Sequence, residues 1–177
     1  NGFVLEQIYS PLVVHTSPEH EELKEIAKGC LTRIHCYHYL GYADSQWQAA
    51  TQEVNGVQEQ PSINNLLSIY RLLLTGTYLM QVGEIETNIS KLNQNFVLNY
   101  IDEMIERTRN TENSQTLEDN EWEFHKVEYE RLRDVLEDSA DATILPETAT
   151  GHDALNDLLK RIRLADLSLE SHLQMAK

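Results

Sequence analysis

The sequence lacks the glycine motifs that proteins use to cradle phosphate groups. Its 177 residues include only seven glycines, and none of them is followed by serine or by another glycine. A phosphate-binding glycine loop is therefore excluded. The chain also has no run of alternating β-branched and polar residues, so no strand is predicted.

Basic residues and cysteines are also scarce. Fourteen Lys and Arg residues face 29 Asp and Glu residues, a net charge of -15. This charge argues against a nucleic-acid surface over the whole molecule, although it leaves room for a small basic cleft. Cys30 and Cys36 lie six residues apart on one predicted helix and point to different faces, so they are not expected to bond each other. With no recognisable signal peptide, we expect a reduced, cytoplasmic protein without membrane association.

The chain is organised around the stretch Ile63–Val82, INNLLSIYRLLLTGTYLMQV. Apolar residues cover it nearly all round, which predicts a buried central helix. It is about 20 residues long, as a membrane span would be, but it has too many polar side chains for one. Pro61 and Ser62 precede it and Gly83 follows it, as at helix ends.

The remaining chain predicts an all-α fold, a bundle of about five to six helices around that central helix. We expect one domain over residues 1–177. Predicted helices cover 3–9, 18–49, 96–109, 117–139 and 153–173, and 83–93 forms a turn or a short helical piece. Stripes at helical spacing are expected to face inward: they include Ile34 in the second of these helices, the bundle seam Trp122, His125, Tyr129, Leu132 and Leu136 in the fourth, and Leu155, Leu158, Leu159, Ile162, Leu169 and Leu173 in the last. Polar loops are expected at 51–61, 110–116 and 140–150.

Arg71 is the only charged residue of the central stretch. Burying a guanidinium without a partner is costly, so Arg71 either pairs with an acid or faces a cleft. Glu84, Glu86 and Asp157 are the candidate acids. Thr75 lies four residues on, on the same helix face, and Gly76 allows another backbone or helix to approach closely.

Three other patterns suggest chemistry less strongly. His35 and His38 have a spacing found in metal sites, but further ligands are not evident, and core or cleft histidines are the simpler interpretation. Arg33 and His38 have the spacing of the RNA-cleaving motif of HEPN-type ribonucleases, with Arg33 steadying phosphate and His38 moving a proton. The family has a polar residue where this chain has Ile34. The acid pairs Glu121/Glu123 and Glu128/Glu130 are interpreted as solvated helix faces.

Four segments together resemble a known family. They are NGFVLEQIYSPLVVHTSPEHEELKEIAKGC, HYLGYADSQW, LLSIYRLLLTGTYLMQVGEIETNISKLN and ALNDLLKRIRLADL. They are similar to the C-terminal part of DNA polymerase β superfamily nucleotidyltransferases, within the family associated with RNA ligases in RNA repair. The similarity runs over most of the chain and is weakest in the two polar loops and in residues 110–121.

The resemblance implies a nucleotidyltransferase as the parent protein. In that family an N-terminal region carries a Gly-Ser turn and an Asp-x-Asp pair that holds two metal ions and a nucleoside triphosphate. This sequence contains neither motif and begins Asn-Gly-Phe. We therefore expect a helical C-terminal part, without catalytic residues or a cofactor of its own, whose parent uses Mg²⁺ and a nucleoside triphosphate. Its expected partners are the upstream catalytic region, nucleotide and RNA.

The family-like polar and aromatic positions within apolar helices are the expected substrate-binding residues: His38, Tyr39, Tyr42, Tyr70, Arg71 and Thr75. Two alternatives remain open. One is a HEPN-type ribonuclease that uses Arg33 and His38, and the other is a non-enzymatic acidic interaction module.

Overall fold

The computed structural model describes residues 2–54, 57–58, 60–110 and 117–175, and most of this part of the chain is helical. The eight helices are α1 (Gly2–Ile8), α2 (Pro18–Lys28), α3 (His35–Ala50), α4 (Ile63–Val82), α5 (Ile89–Phe96), α6 (Asn99–Asn110), α7 (Asp119–Ala142) and α8 (His152–Met175). The predicted loop at 51–61 contains a two-residue antiparallel pairing of β1 (Glu53–Val54) with β2 (Val57–Gln58). The all-α class is confirmed, with more helices than predicted.

Helix α4 is the centre of the bundle and has the predicted ends. The Ser62 side chain accepts a hydrogen bond from the Asn65 backbone N–H at 3.2 Å, which caps its first turn. Gly83 ends it in the left-handed conformation, with φ of 79°. Helices α3, α5, α6 and α7 all pack against it, so its apolar surface is buried on several sides.

The predicted helix over 18–49 is wrong in one respect, because residues 29–34 divide it into α2 and α3. The Gly29 carbonyl leaves the helical pattern and accepts backbone hydrogen bonds from Thr150 at 2.8 Å and Gly151 at 3.1 Å. Thr32 then donates its backbone N–H to His35 Nδ1 at 3.2 Å, at the start of α3. Ile34, predicted to face inward, is 56% exposed. A contact across about 120 residues therefore overrides a continuous local pattern.

The boundary between α5 and α6 also differs from the prediction. Phe96 ends α5 instead of starting the next helix, and Val97 adopts a left-handed conformation with φ of 52°. The Asn93 side chain fixes this corner, because it accepts from the Leu98 N–H at 2.8 Å and donates to the Leu98 carbonyl at 3.1 Å. The short helical piece predicted around residues 83–93 is present as α5.

The last two long helices follow their predicted ranges closely. Helix α7 buries its predicted seam of Trp122, His125, Tyr129, Leu132 and Leu136. In α8, Leu158 is buried, but Leu159 is 45% exposed and Ile162 is 36% exposed, so these two predicted core positions are wrong.

The remaining sequence predictions concern the cysteines, the loop before α7 and two side chains of α8. Both cysteines are free thiols, as expected. The predicted loop residues 111–116 and the side chains of Leu169 and Leu173 lie outside the described residues. None of the helices in the described ranges combines the length and apolar character needed to cross a bilayer.

Candidate functional site

Two consecutive residues of α4 point to different sides of the helix and belong to different polar groups. The Tyr70 hydroxyl lies 2.8 Å from His125 Nδ1 on α7. Arg71 Nη1 donates to Glu6 Oε2 on α1 at 3.1 Å. Successive helical residues are about 100° apart, so α4 separates the two groups.

The first group, here called the Arg71 cluster, consists of Glu6, His38, Tyr39, Arg71 and Thr75. The side chain of Arg71 is 30% exposed and that of Glu6 is 14% exposed, so this ion pair forms the side of the cluster that reaches solvent. Tyr39 and Thr75 are fully buried beneath it.

The Arg71 cluster is distinguished by unsatisfied polar atoms. Buried side-chain nitrogen and oxygen atoms without a hydrogen-bond partner in the described chain are Glu6 Oε1, His38 Nε2, Tyr39 Oη and Thr75 Oγ1. All four belong to this one cluster. Buried polar atoms in folded proteins are almost always hydrogen-bonded, and each exception costs about 1–3 kcal/mol, so a concentration of exceptions calls for an explanation.

Glycines and aromatic rings hold the cluster together. A Cβ added at Gly76 would lie 2.9 Å from Tyr39 Cβ and 3.0 Å from Leu136 Cδ2, so only glycine allows α3 and α7 to pack this closely on α4. A Cβ at Gly2 would lie 2.8 Å from His38 Nε2. The short helix α1 therefore rests directly on the His38 imidazole.

Phe3 completes the packing of α1 on α3. Its ring meets those of His38 and Tyr42 edge-on, at centroid distances of 5.0 and 4.7 Å. Tyr42 therefore joins the site through Phe3, on the outer side of His38.

Burial sets the protonation of the cluster. It lowers the pKa of His38, which the Glu6 carboxylate partly opposes. Burial also raises the pKa of Tyr39, and the Glu6 carboxylate raises it further, by its charge and as the nearby acceptor of the phenol beyond normal hydrogen-bond length. At neutral pH the cluster therefore presents a neutral imidazole and a protonated phenol beside the Arg71–Glu6 pair.

The second group, here called the His125 network, consists of Tyr70, Tyr100, His125, Glu128 and Arg131. The Tyr100 hydroxyl donates a short hydrogen bond to Glu128, and Arg131 binds the same carboxylate through two nitrogens, at 2.6 and 2.7 Å. Glu128 is only 7% exposed, so its prediction as part of a solvated face is wrong. Although burial opposes it, the bonds from Arg131 and Tyr100 hold the Glu128 pKa below its usual range.

The structure brings together five of the six predicted substrate-binding residues. His38, Tyr39, Arg71 and Thr75 belong to the Arg71 cluster, and Tyr42 adjoins it. Tyr70 lies in the His125 network instead. The predicted acid partners of Arg71, namely Glu84, Glu86 and Asp157, are wrong, because Glu6 takes that place. Glu6 was missed, although it is the only charged residue of α1.

The ribonuclease spacing does not produce a joint site. Arg33 lies in the turn before α3 and pairs with Asp141 at 3.3 Å and Glu147 at 3.5 Å. It lines a groove of about 520 Å³ between α3 and α7 that His38 does not line. His38 contacts α1 instead.

The possible metal ligands are also dispersed. His35 Nδ1 is engaged with Thr32 at the start of α3. Among the side chains that the structure describes, no three His, Cys, Asp or Glu residues are grouped so that they could hold a metal ion.

A comparison with protein families identifies the chain. A family model described as RlaP, RNA repair pathway DNA polymerase beta family, matches residues 1–161. The chain belongs to this family. No curated protein and no solved structure matches it. The RlaP match includes all of α1, α3 and α4, and hence every residue of the Arg71 cluster.

Proposed function

We propose that this chain is the C-terminal helical portion of a nucleotidyltransferase that acts on nucleic acid in RNA repair. The observation that carries the proposal is the RlaP family match over residues 1–161. The chain has no Asp-x-Asp pair, and the proposal assigns the carboxylates that bind catalytic metal ions to an upstream region.

In this proposal the Arg71 cluster is the substrate-binding contribution of the helical portion. Arginine offers a fixed fork of N–H donors that suits phosphate, and the Arg71 side chain is 30% exposed, more than that of its partner Glu6. The hydroxyls of Tyr39 and Thr75 add donors beneath it. These groups fit the phosphates of a nucleoside triphosphate or of RNA. They do not fit Mg²⁺, which prefers carboxylate and water oxygens and would bind to the upstream region.

The ribonuclease alternative lacks a comparable observation, because Arg33 and His38 contact different parts of the fold. The only observation that favours the acidic interaction module is the net charge of -15.

The test compares the chain of residues 1–177 with a protein that also carries the upstream region. Each is incubated with labelled nucleoside triphosphate, Mg²⁺ and RNA. We expect transfer by the longer protein and none by the chain alone, because the carboxylate pair is missing. Transfer by the purified chain, or none by the longer protein, would refute the proposal.

The role of the cluster is tested in the longer protein by the double substitution Arg71→Met/Glu6→Gln. Removing both charges avoids an orphaned carboxylate, so stability should change little while nucleotide or RNA binding weakens about tenfold or more. The matched control is Arg133→Met/Asp44→Asn, which removes a 2.8 Å ion pair between α7 and α3 whose arginine side chain is 26% exposed, close to the value for Arg71. Equal effects of the two double substitutions on binding would count against the cluster.

A further inference from the structure

We infer that the Arg71 cluster is a binding site for a terminal phosphate group and that the Glu6 carboxylate occupies this site as a built-in competitor. The inference rests on the proposed function for the source of the phosphate, which is either a nucleoside triphosphate or the phosphorylated end of RNA. The chemistry of recognition is the same for both.

A count of donors and acceptors supports a larger anion than a carboxylate. The cluster offers the Arg71 guanidinium, the hydroxyls of Tyr39 and Thr75, and His38 Nε2 in the tautomer that carries its proton there. Glu6 satisfies one of these, through the 3.1 Å bond from Arg71 to Oε2. The Thr75 hydroxyl and His38 Nε2 have no hydrogen-bond partner in the described chain, and the Tyr39 hydroxyl has only the Glu6 carboxylate nearby, beyond normal hydrogen-bond length. A terminal phosphate has three acceptor oxygens and matches this surplus of donors.

The burial of the donors indicates a built site. Tyr39 and Thr75 are fully buried, so the fold encloses both hydroxyls and neither is an incidental surface group. Thr77, two residues later in the same helix, shows the ordinary solution for a buried threonine, because its hydroxyl donates to the Leu73 carbonyl at 2.8 Å. Thr75 lacks such a bond in the described chain, although the same acceptor position exists one turn before it.

The Glu6 carboxylate lies where it could turn away from Arg71 toward solvent. Glu6 lies near the end of the seven-residue helix α1, and its side chain is 14% exposed beside that of Arg71, which is 30% exposed. A phosphate that approaches from this side meets Arg71 first and repels the carboxylate. The inference therefore requires the Glu6 side chain to turn toward solvent, so that the phosphate takes its place beside Arg71 and reaches the hydroxyls of Tyr39 and Thr75.

The test measures binding to the chain of residues 1–177 by calorimetry, with inorganic phosphate as the first probe. Glu6→Gln keeps the size of the side chain and removes the competing charge, so we expect it to lower the phosphate Kd about tenfold. Adding Thr75→Val or Tyr39→Phe to Glu6→Gln should reverse most of this gain. The control Asp44→Asn removes a carboxylate from another arginine, Arg133, and should not increase phosphate affinity.

Two further probes distinguish the sources. A nucleoside triphosphate is compared with a short RNA that carries a terminal phosphate, and the same RNA without that phosphate is the reference. The molecule that supplies the phosphate is the one for which Glu6→Gln increases the affinity. We expect no increase for the RNA without a terminal phosphate.

The inference is overturned if Glu6→Gln does not improve phosphate binding, and a lower melting temperature would then show that Glu6 is only a structural partner of Arg71. It is also overturned if Asp44→Asn gives the same gain as Glu6→Gln. These results would leave the proposed nucleotidyltransferase role standing. Conversely, a longer protein that transfers no nucleotide would refute that role even if the cluster binds phosphate.

Discussion

The two sides of α4 solve the problem of buried polar groups in opposite ways. In the His125 network the hydroxyls of Tyr70 and Tyr100 and both Glu128 oxygens have hydrogen-bond partners. In the Arg71 cluster four buried atoms have none within the described residues. Satisfied networks make a core rigid and specific, whereas buried groups without a partner call for an explanation, such as a ligand or an ordered water. The difference agrees with the proposal that one side supports the bundle and the other serves a ligand.

The largest expected effect comes from breaking the satisfied side. Glu128→Ala leaves the Tyr100 hydroxyl and the Arg131 guanidinium without their shared acceptor. We expect the free energy of unfolding to fall by about 2–3 kcal/mol, measured by urea denaturation. Glu130→Ala is the control, because Glu130 is 63% exposed in its pair with Arg133, and it should change stability by less than about 0.5 kcal/mol. Similar small losses for both would show that the network contributes little.

The sequence predicted the fold well where local signals and burial agree. The limits of α4 follow from Ser62, Gly83 and an apolar composition that no other element shares. The break between α2 and α3 could not be predicted in this way, because it depends on backbone bonds from Thr150 and Gly151 to Gly29. The periodicity of apolar residues reports only local helix formation, so it cannot reveal contacts with residues far away in the sequence.

The candidate site was predictable only as far as helix geometry extends. The spacing of Arg71 and Thr75 places them on one face of α4. Tyr70 could not be assigned to a side, because α4 is buried nearly all round and both sides accept an aromatic residue. Glu6 lies 65 residues from Arg71, and nothing in the sequence pairs them.

A matched pair of tyrosines sharpens the comparison. Tyr70→Phe removes the partner of His125 Nδ1 and should lower the free energy of unfolding by about 1–2 kcal/mol. Tyr39→Phe removes a buried hydroxyl whose nearby acceptor, the Glu6 carboxylate, lies beyond normal hydrogen-bond length, so the free energy of unfolding should change by less than about 0.5 kcal/mol. Thermal and urea unfolding of both variants, compared with the unsubstituted chain, provides the measurement. A loss at Tyr39 as large as that at Tyr70 would mean that the Tyr39 hydroxyl is satisfied in solution, and the contrast between the two sides would disappear.

The smallest expected effect compares two threonines of the same helix. Thr75 and Thr77 are both buried in α4, but only Thr77 donates to a carbonyl, that of Leu73. Valine has nearly the shape of threonine and replaces the hydroxyl by a methyl group. At Thr77 the lost hydrogen bond and the gained apolar burial nearly cancel, so Thr77→Val should leave stability within about 0.5 kcal/mol. At Thr75 there is no protein hydrogen bond to lose in the described chain, so Thr75→Val should raise the free energy of unfolding by about 1 kcal/mol. Urea denaturation at one pH resolves this difference. If the cluster serves a ligand, the stability gained at Thr75 is accompanied by weaker phosphate binding, whereas Thr77→Val changes neither property. A loss of stability at Thr75 would instead indicate that its hydroxyl supports the fold.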